Sequence, residues 1–258
     1  MPPARHLDVW LSIDRIVRFW LIQDRLPRPP QRILEVGCGD GRLMQSLAAL
    51  GHDVLGCDLS LELFPRASPV RRRVFAASGG ALPIPSDSMD CVVSSDVLEH
   101  VAPHAREQFL EELVRVTRPG GTIVLSAFFH LTLGFRLLGA LLLLRHGTLP
   151  GWYVEHLVIP SPRPEEARAF LSRRLEGVRA EAYQSPLNLF LFGMQLASFP
   201  DGVGFLDGVR GGWRVNRAIG RLSKVVHRLV SRTAPVLMRV DRVGKRTSYV
   251  FVGTKPRR

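Results

Sequence analysis

The stretch ILEVGCGDGRL, residues 33–43, decides the fold. An apolar run ends at Glu35 and Val36, and Gly37, Gly39 and Gly41 then turn the chain into a helix that starts near Asp40. Glycine reaches the backbone angles of so tight a turn and lets a ligand come close to the main chain. The free N–H groups of the following helix face that ligand. A glycine-rich turn after a strand also serves dinucleotides, but their fingerprint is G-x-G-x-x-G. Here the spacing is G-x-G-x-G, and Glu35 sets a carboxylate two residues ahead of the first glycine, where it suits a cation better than a phosphate.

Working outward, short apolar runs alternate with helical patterns. The runs are RILEV (32–36), DVLGC (53–57), RRVFA (72–76), DCVVS (90–94) and GTIVLSA (121–127), with helices expected at 41–50, 59–67 and 104–117. Apolar strands alternating with helices argue for a mainly parallel sheet covered on both faces, an α/β Rossmann-like doubly wound fold. Upstream, residues 7–25 repeat apolar positions at helical spacing (Val9, Ile13, Ile16, Val17, Trp20) until Pro27, Pro29 and Pro30 stop them. Downstream, 131–144 is an apolar run interrupted by Arg136, shorter than the roughly 20 residues of a membrane span. A proline-rich loop at 160–166 leads into a helix to about 175, then strands at 178–183 and 248–255. The chain is read as one domain over 1–258: an N-terminal helix (7–25), a cofactor-binding core (32–127), a lid or acceptor region (128–175), and a basic helical insertion (187–247) before the last strand.

Charge is distributed unevenly. Residues 207–258 carry fourteen Lys and Arg against Asp207 and Asp241, while the rest of the chain is balanced, so the whole net charge of +12 sits in the last fifth. Arg210, Arg214, Arg217, Arg221, Lys224 and Arg228 recur every three or four residues, with Val215, Ile219, Leu222, Val226 and Leu229 on the other side. A basic amphipathic helix of this kind, here within 210–232, reads as an element for an anionic membrane surface. The competing reading is a solvated face. Cys38, Cys57 and Cys91 are odd in number and lack metal spacing, which argues against a disulfide framework and favours a reducing, cytoplasmic setting.

Four signatures in order give the chain a family likeness: ILEVGCGDG (33–41), Asp58 at the end of DVLGC, LPIPSDSMD (82–90) and RPGG (118–121). It resembles the class I S-adenosylmethionine-dependent methyltransferases with an ExGxGxG motif, closely over 32–127 and weakly over 153–183. The resemblance implies a seven-stranded sheet whose last strand is antiparallel, and S-adenosylmethionine as cofactor. Carried over by position, Glu35 would lie near the methionine amino group, with Gly37, Cys38, Gly39 and Gly41 forming the wall beside the carboxyl and adenosine. Asp58 would take the ribose hydroxyls, and Leu59 would pack on adenine. Ser94 and Ser95 would line the methionine end through backbone atoms. Where the family often has an acid for the adenine amine, this chain has Ser78, so Ser78 and the Gly79–Gly80 backbone would serve there.

Transfer from a sulfonium needs alignment and desolvation more than acid–base help, and a base only when the acceptor keeps a proton. His100 and His130 are candidate bases; His156 is read as a loop or capping residue. Asp96, Glu99 and His100 resemble the acid group of some metal-assisted quinone O-methyltransferases, on what reads as one helical turn; the pattern also suits solvated acids, and no metal ligand is assigned. The apolar runs at 128–144 and 187–199 beside the cationic stripe favour an apolar acceptor, such as a lipid, quinone or isoprenoid-like molecule, methylated on oxygen before carbon. The rival readings are an RNA or polyanion acceptor, disfavoured because only Trp213 accompanies the stripe, and a non-catalytic cofactor-binding module.

Overall fold

Four of the five residues of β1 (Arg32–Val36) are buried, as in a strand covered on both faces. The computed structural model describes residues 13–62, 64–65, 68–128, 157–183 and 248–257, with isolated positions at 136, 139, 140, 143, 149 and 154. Beside β1 lie β2 (Asp53–Asp58), β3 (Val74–Ala76), β4 (Met89–Ser95), β5 (Thr117–Phe128), β6 (Glu176–Tyr183) and β7 (Ser248–Thr254). They form one seven-stranded sheet in the order β3-β2-β1-β4-β5-β7-β6. β7 runs antiparallel to both β5 and β6; the other pairings are parallel. The order reverses between β1 and β4, the switch point where such sheets open a crevice at their carboxyl ends.

The two-residue period of the strands divides the core. Ile33, Cys91, Val93, Val124 and Val250 face α1 (Ile13–Arg25) and α2 (Arg42–Ala49), meeting Val17, Leu21, Ile22, Leu43, Met44 and Leu47. Leu34, Val36, Val92, Ile123, Leu125 and Phe251 face α3 (Arg106–Val116) and the helix Pro164–Arg174, here α4, meeting Phe109, Leu113, Phe170 and Leu171. Each such side chain, fully buried, contributes about 1.5–3 kcal/mol. α4 lies within the stretch read as lid, yet it packs on the sheet with α3.

Three local expectations differ from the structure. Described residues of 59–67 form turns and bends, not a helix; Pro65 denies a helix there one of its N–H donors. β3 starts only at Val74, because Arg71–Arg73 form a short 3₁₀ turn. The fifth strand begins earlier than the run at 121–127: α3 stops at Val116, and β5 begins at Thr117, whose hydroxyl donates to Leu113 O at 2.7 Å. Gly120 (φ +75°) belongs to an irregularity inside β5, where the register slips between Met89↔Thr117 and Cys91↔Thr122.

Register gives the carboxyl edge a second property. Phe128 pairs with Ser248, and Tyr183 pairs with the same Ser248. The chain therefore leaves the sheet at Phe128 and Tyr183, and returns at Ser248, from three adjacent points on the edge that carries the glycine loop. Residues 7–12 of the expected first helix, His130, His156, the stripe at 210–232 and the rest of 187–247 lie outside the described residues, as does most of 131–144. No described helix is long and apolar enough to cross a membrane.

Candidate active site

The glycine loop is tied to the end of β2 by its own backbone. The N–H groups of Gly37 and Cys38 both donate to Cys57 O, at 2.8 and 3.0 Å, and Gly41 N–H donates to Cys38 O at 2.8 Å. Gly37, Gly39 and Gly41 all have positive φ, +79°, +51° and +71°. Their surroundings differ. A Cβ on Gly37 would stand 2.1 Å from Val97 Cγ2 and one on Gly41 2.3 Å from Phe64, whereas no described atom lies within 4 Å of a Cβ on Gly39. Two glycines are thus required for packing, and the third borders open space. Cys38 is buried in this loop, and burial pushes its thiol well above the ordinary range.

Glu35 stands beneath the loop on the α1 face of the sheet and is only 3% exposed. It accepts a hydrogen bond from the Met44 backbone, but its Oε2 has no hydrogen-bond partner among the described residues. Burial raises its pKa well above the usual carboxyl value, Asp40 and Asp58 push it further, and Met44 and Arg18 oppose them. A buried acceptor oxygen left without a donor costs free energy in the ligand-free protein.

Asp58 ends β2 beside this loop. Its Oδ2 accepts from Gly39 N–H at 2.8 Å and its Oδ1 from Ser60 N–H at 3.2 Å, so the carboxylate holds the glycine loop as well as facing the crevice. Leu59 is 80% exposed beside it, an apolar surface without cover. Ser78 is exposed, its hydroxyl accepting from Gly80 N–H at 3.3 Å, and a Cβ on Gly79 would lie 2.5 Å from Phe109. Ser94 is fully buried at the tip of β4 and its hydroxyl has no partner among the described residues; Ser95 Oγ lies 3.3 Å from Ser126 Oγ.

Sequence reasoning missed a polar cluster that tertiary folding assembles next to these tips. Arg18, buried on α1, forms an ion pair with Asp96, and Arg15 pairs with Asp40 of the glycine loop at 2.7 Å. Ser126 Oγ of β5 and Tyr183 Oη of β6 lie 3.3 and 3.5 Å from Asp96 Oδ1. A visible signal for Arg18 was an arginine recurring three residues after Arg15 and set between the apolar Val17 and Phe19. The acids of the D-x-x-E-H run do not share a helical turn: Asp96 has φ +54°, and only Leu98–His100 forms a 3₁₀ turn. Nor are they both solvated. Glu99 is buried, and its Oε1 accepts from Phe128 N–H at 3.1 Å. His100 is exposed on that turn.

Comparison with known proteins agrees with this geometry. Residues 34–125 match the family model described as a methyltransferase domain. A demethylmenaquinone methyltransferase of Beutenbergia cavernae is 34% identical over 120 residues, 46% of this chain and 49% of that protein. A ubiquinone biosynthesis O-methyltransferase of Sinorhizobium medicae is 33% identical over 110 residues, 40% of this chain and 44% of that protein. The chain spans about half the length of the curated relatives it matches. Among solved structures, a SAM-dependent methyltransferase from Archaeoglobus fulgidus superposes with a TM-score of 0.58 over 95% of both chains at 14% identity, a likeness of fold. Residues 34–125 of this chain thus resemble a methyltransferase domain in sequence, on a fold that a SAM-dependent methyltransferase shares.

Proposed function

We propose that this chain binds S-adenosylmethionine across the tips of β1, β2 and β4 and directs its methyl group to a hydrophobic small molecule, on oxygen ahead of carbon. The observation that carries the reading is Glu35, a buried carboxylate with one oxygen lacking a donor among the described residues, beside the one glycine of the loop whose Cβ would meet no described atom. Those residues fit the cofactor. Glu35 would receive the amino group, Gly39 admit the backbone-hugging part, Asp58 accept from the ribose hydroxyls with its remaining lone pairs, and Leu59 cover the adenine. The Ser94 hydroxyl, buried and without a partner among the described residues, would serve the methionine end with its side chain as well as its backbone. When bound, the cofactor supplies a methyl group already activated on a sulfonium. The work left to the chain is to align the acceptor and exclude water.

Support for an apolar acceptor comes from two directions. Two relatives are named for quinone substrates. The stretches with the most apolar sequence begin or end at Phe128, Tyr183 and Ser248, all at the carboxyl edge of the sheet. The cationic stripe at 210–228 adds an anionic membrane surface as the place where such an acceptor is met. Radiolabelled S-adenosylmethionine incubated with the protein and a fractionated lysate tests the acceptor class: label in the organic phase supports it, and label in RNA or protein overturns it. For the membrane, the full chain is expected to float with anionic liposomes but not with neutral ones. A variant with all six stripe residues changed to Gln should stay behind, because each cation near such a surface contributes about 1 kcal/mol; equal flotation of both proteins excludes the role.

Cofactor affinity should depend on pH through Glu35. Its raised pKa keeps the proton on the carboxyl to higher pH than usual, and an uncharged carboxyl offers the amino group no counter-charge. Calorimetric affinity for S-adenosylhomocysteine should therefore rise as pH rises through the raised value, and Glu35→Gln should flatten that rise. The same shift has the opposite sign for stability. An acid with a raised folded-state pKa favours the folded protein at low pH, and that contribution is lost as pH climbs from the unfolded to the folded value.

A further inference from the structure

The Asp96 carboxylate is fixed more tightly than packing alone requires. Its backbone is in the left-handed region at φ +54°, a conformation that persists in non-glycine residues only where the surroundings hold it. Three elements do so here. Arg18 of α1 pairs with Oδ2, the Tyr183 hydroxyl of β6 and the Ser126 hydroxyl of β5 approach Oδ1, and the Asp96 N–H donates to Ser126 O at 2.9 Å. The clamp buries the guanidinium, at 8% side-chain exposure, but leaves the Asp96 side chain 26% exposed. The open part belongs to the residue directly after Ser94 and Ser95 at the tip of β4. A carboxylate oriented from three sides and open on the fourth, next to the tip where the methyl donor is read to end, is arranged to receive a hydrogen-bond donor from outside.

From this juxtaposition we infer that Asp96 is the catalytic residue facing the acceptor, that the acceptor presents a hydroxyl, and that Asp96 takes its proton. The inference rests on the methyl-transfer reading above. In the step, the acceptor oxygen forms a bond to the methyl carbon as the carbon–sulfur bond breaks. The electron pair of that bond stays on sulfur, and the hydroxyl proton passes to Asp96. An ion-paired carboxylate is a weak base for a free hydroxyl, but the oxygen becomes strongly acidic as its new bond forms, so the proton moves downhill late in the step. Tyr183 and Ser126 act as positioning residues, aiming the carboxylate without touching the acceptor.

The probe is naphthohydroquinone kept reduced, which offers two hydroxyls and unsubstituted ring carbons in one molecule. The wild-type protein is expected to form the methyl ether. Asp96→Asn is expected to lower kcat about 100-fold or more, the usual scale of acid–base participation, with S-adenosylhomocysteine affinity within twofold of wild type. Because that variant also removes the negative charge of the Arg18–Asp96 pair, Tyr183→Phe is the second test, keeping the ion pair. Loss of one hydrogen bond of about 1 kcal/mol should lower kcat roughly fivefold with KM little changed. Ring methylation in place of the ether overturns the inference, as does no transfer to this probe while S-adenosylhomocysteine still binds. Undiminished kcat in Asp96→Asn, or a loss in either variant that only follows a fall in melting temperature, also overturns it. Failure to bind S-adenosylhomocysteine at all would instead strike the methyl-transfer reading itself.

Discussion

Replacing Asp58 with Ala should lower calorimetric affinity for S-adenosylhomocysteine by at least about 100-fold, the largest single loss expected at the cofactor site. Two effects add. Each hydrogen bond from a ribose hydroxyl to a charged carboxylate is worth about 1.5–3 kcal/mol, and every 1.4 kcal/mol is a factor of ten in binding. The same carboxylate also accepts from Gly39 N–H at 2.8 Å and Ser60 N–H at 3.2 Å, so the variant removes the brace between the end of β2 and the glycine loop. Asp58→Asn separates the two contributions, since an amide oxygen can still accept from Gly39 while the charge is gone. Unchanged affinity in Asp58→Ala would sink the assignment of the cofactor site.

The second large effect is a contrast between two glycines only two residues apart. Gly37→Ala should be a folding variant. At φ +79° the new residue meets a left-handed penalty of about 1–2 kcal/mol, and its methyl group lands 2.1 Å from Val97 Cγ2, where overpacking adds about 1–3 kcal/mol. At the 2–4 °C per kcal/mol of a chain this size, the melting temperature should fall by on the order of 10 °C. Gly39→Ala should be a binding variant. Its φ of +51° carries the same modest penalty, but nothing described lies within 4 Å of the new Cβ, so the methyl group projects into the space read as the cofactor's. A small fall in melting temperature with a large loss of S-adenosylhomocysteine affinity is expected. If both variants melted and bound alike, the open face at Gly39 would not be a ligand surface.

Much of this fold was legible because its signals are local. Each of β1, β2, β4, β5 and β7 is a short apolar run, and a run covered on both faces announces itself without knowledge of its neighbours. The glycine turn was legible for a similar reason, since its backbone angles leave few residue types to choose from. Where the reading failed, two short-range preferences competed. Residues 59–67 have an apolar pattern compatible with a helix, but Pro65 within them overrides it. RPGG carries a turn signal, and Thr117 had already ended α3 by bonding back to Leu113. The acids at 96–100 looked alike as a run, yet the left-handed backbone at Asp96 sends its carboxylate to Arg18, while Glu99 turns inward to the Phe128 N–H.

By itself, then, the sequence determined the α/β architecture, the glycine loop with Glu35 and Asp58 at its flanks, and the uneven charge. Each of these depends on residues close together in the chain, where backbone angles and hydrophobic period act directly. Only the tertiary structure decided which glycine's Cβ would meet no described atom, that one Glu35 oxygen beneath the loop has no partner among the described residues, and that Arg18, Asp96, Ser126 and Tyr183 meet. Those four residues come from a helix, two strands and the turn after a third, separated by as many as 165 positions from Arg18 to Tyr183. Their meeting is set by strand order and register, and by α1 burying its apolar face against the sheet, which no window of sequence contains.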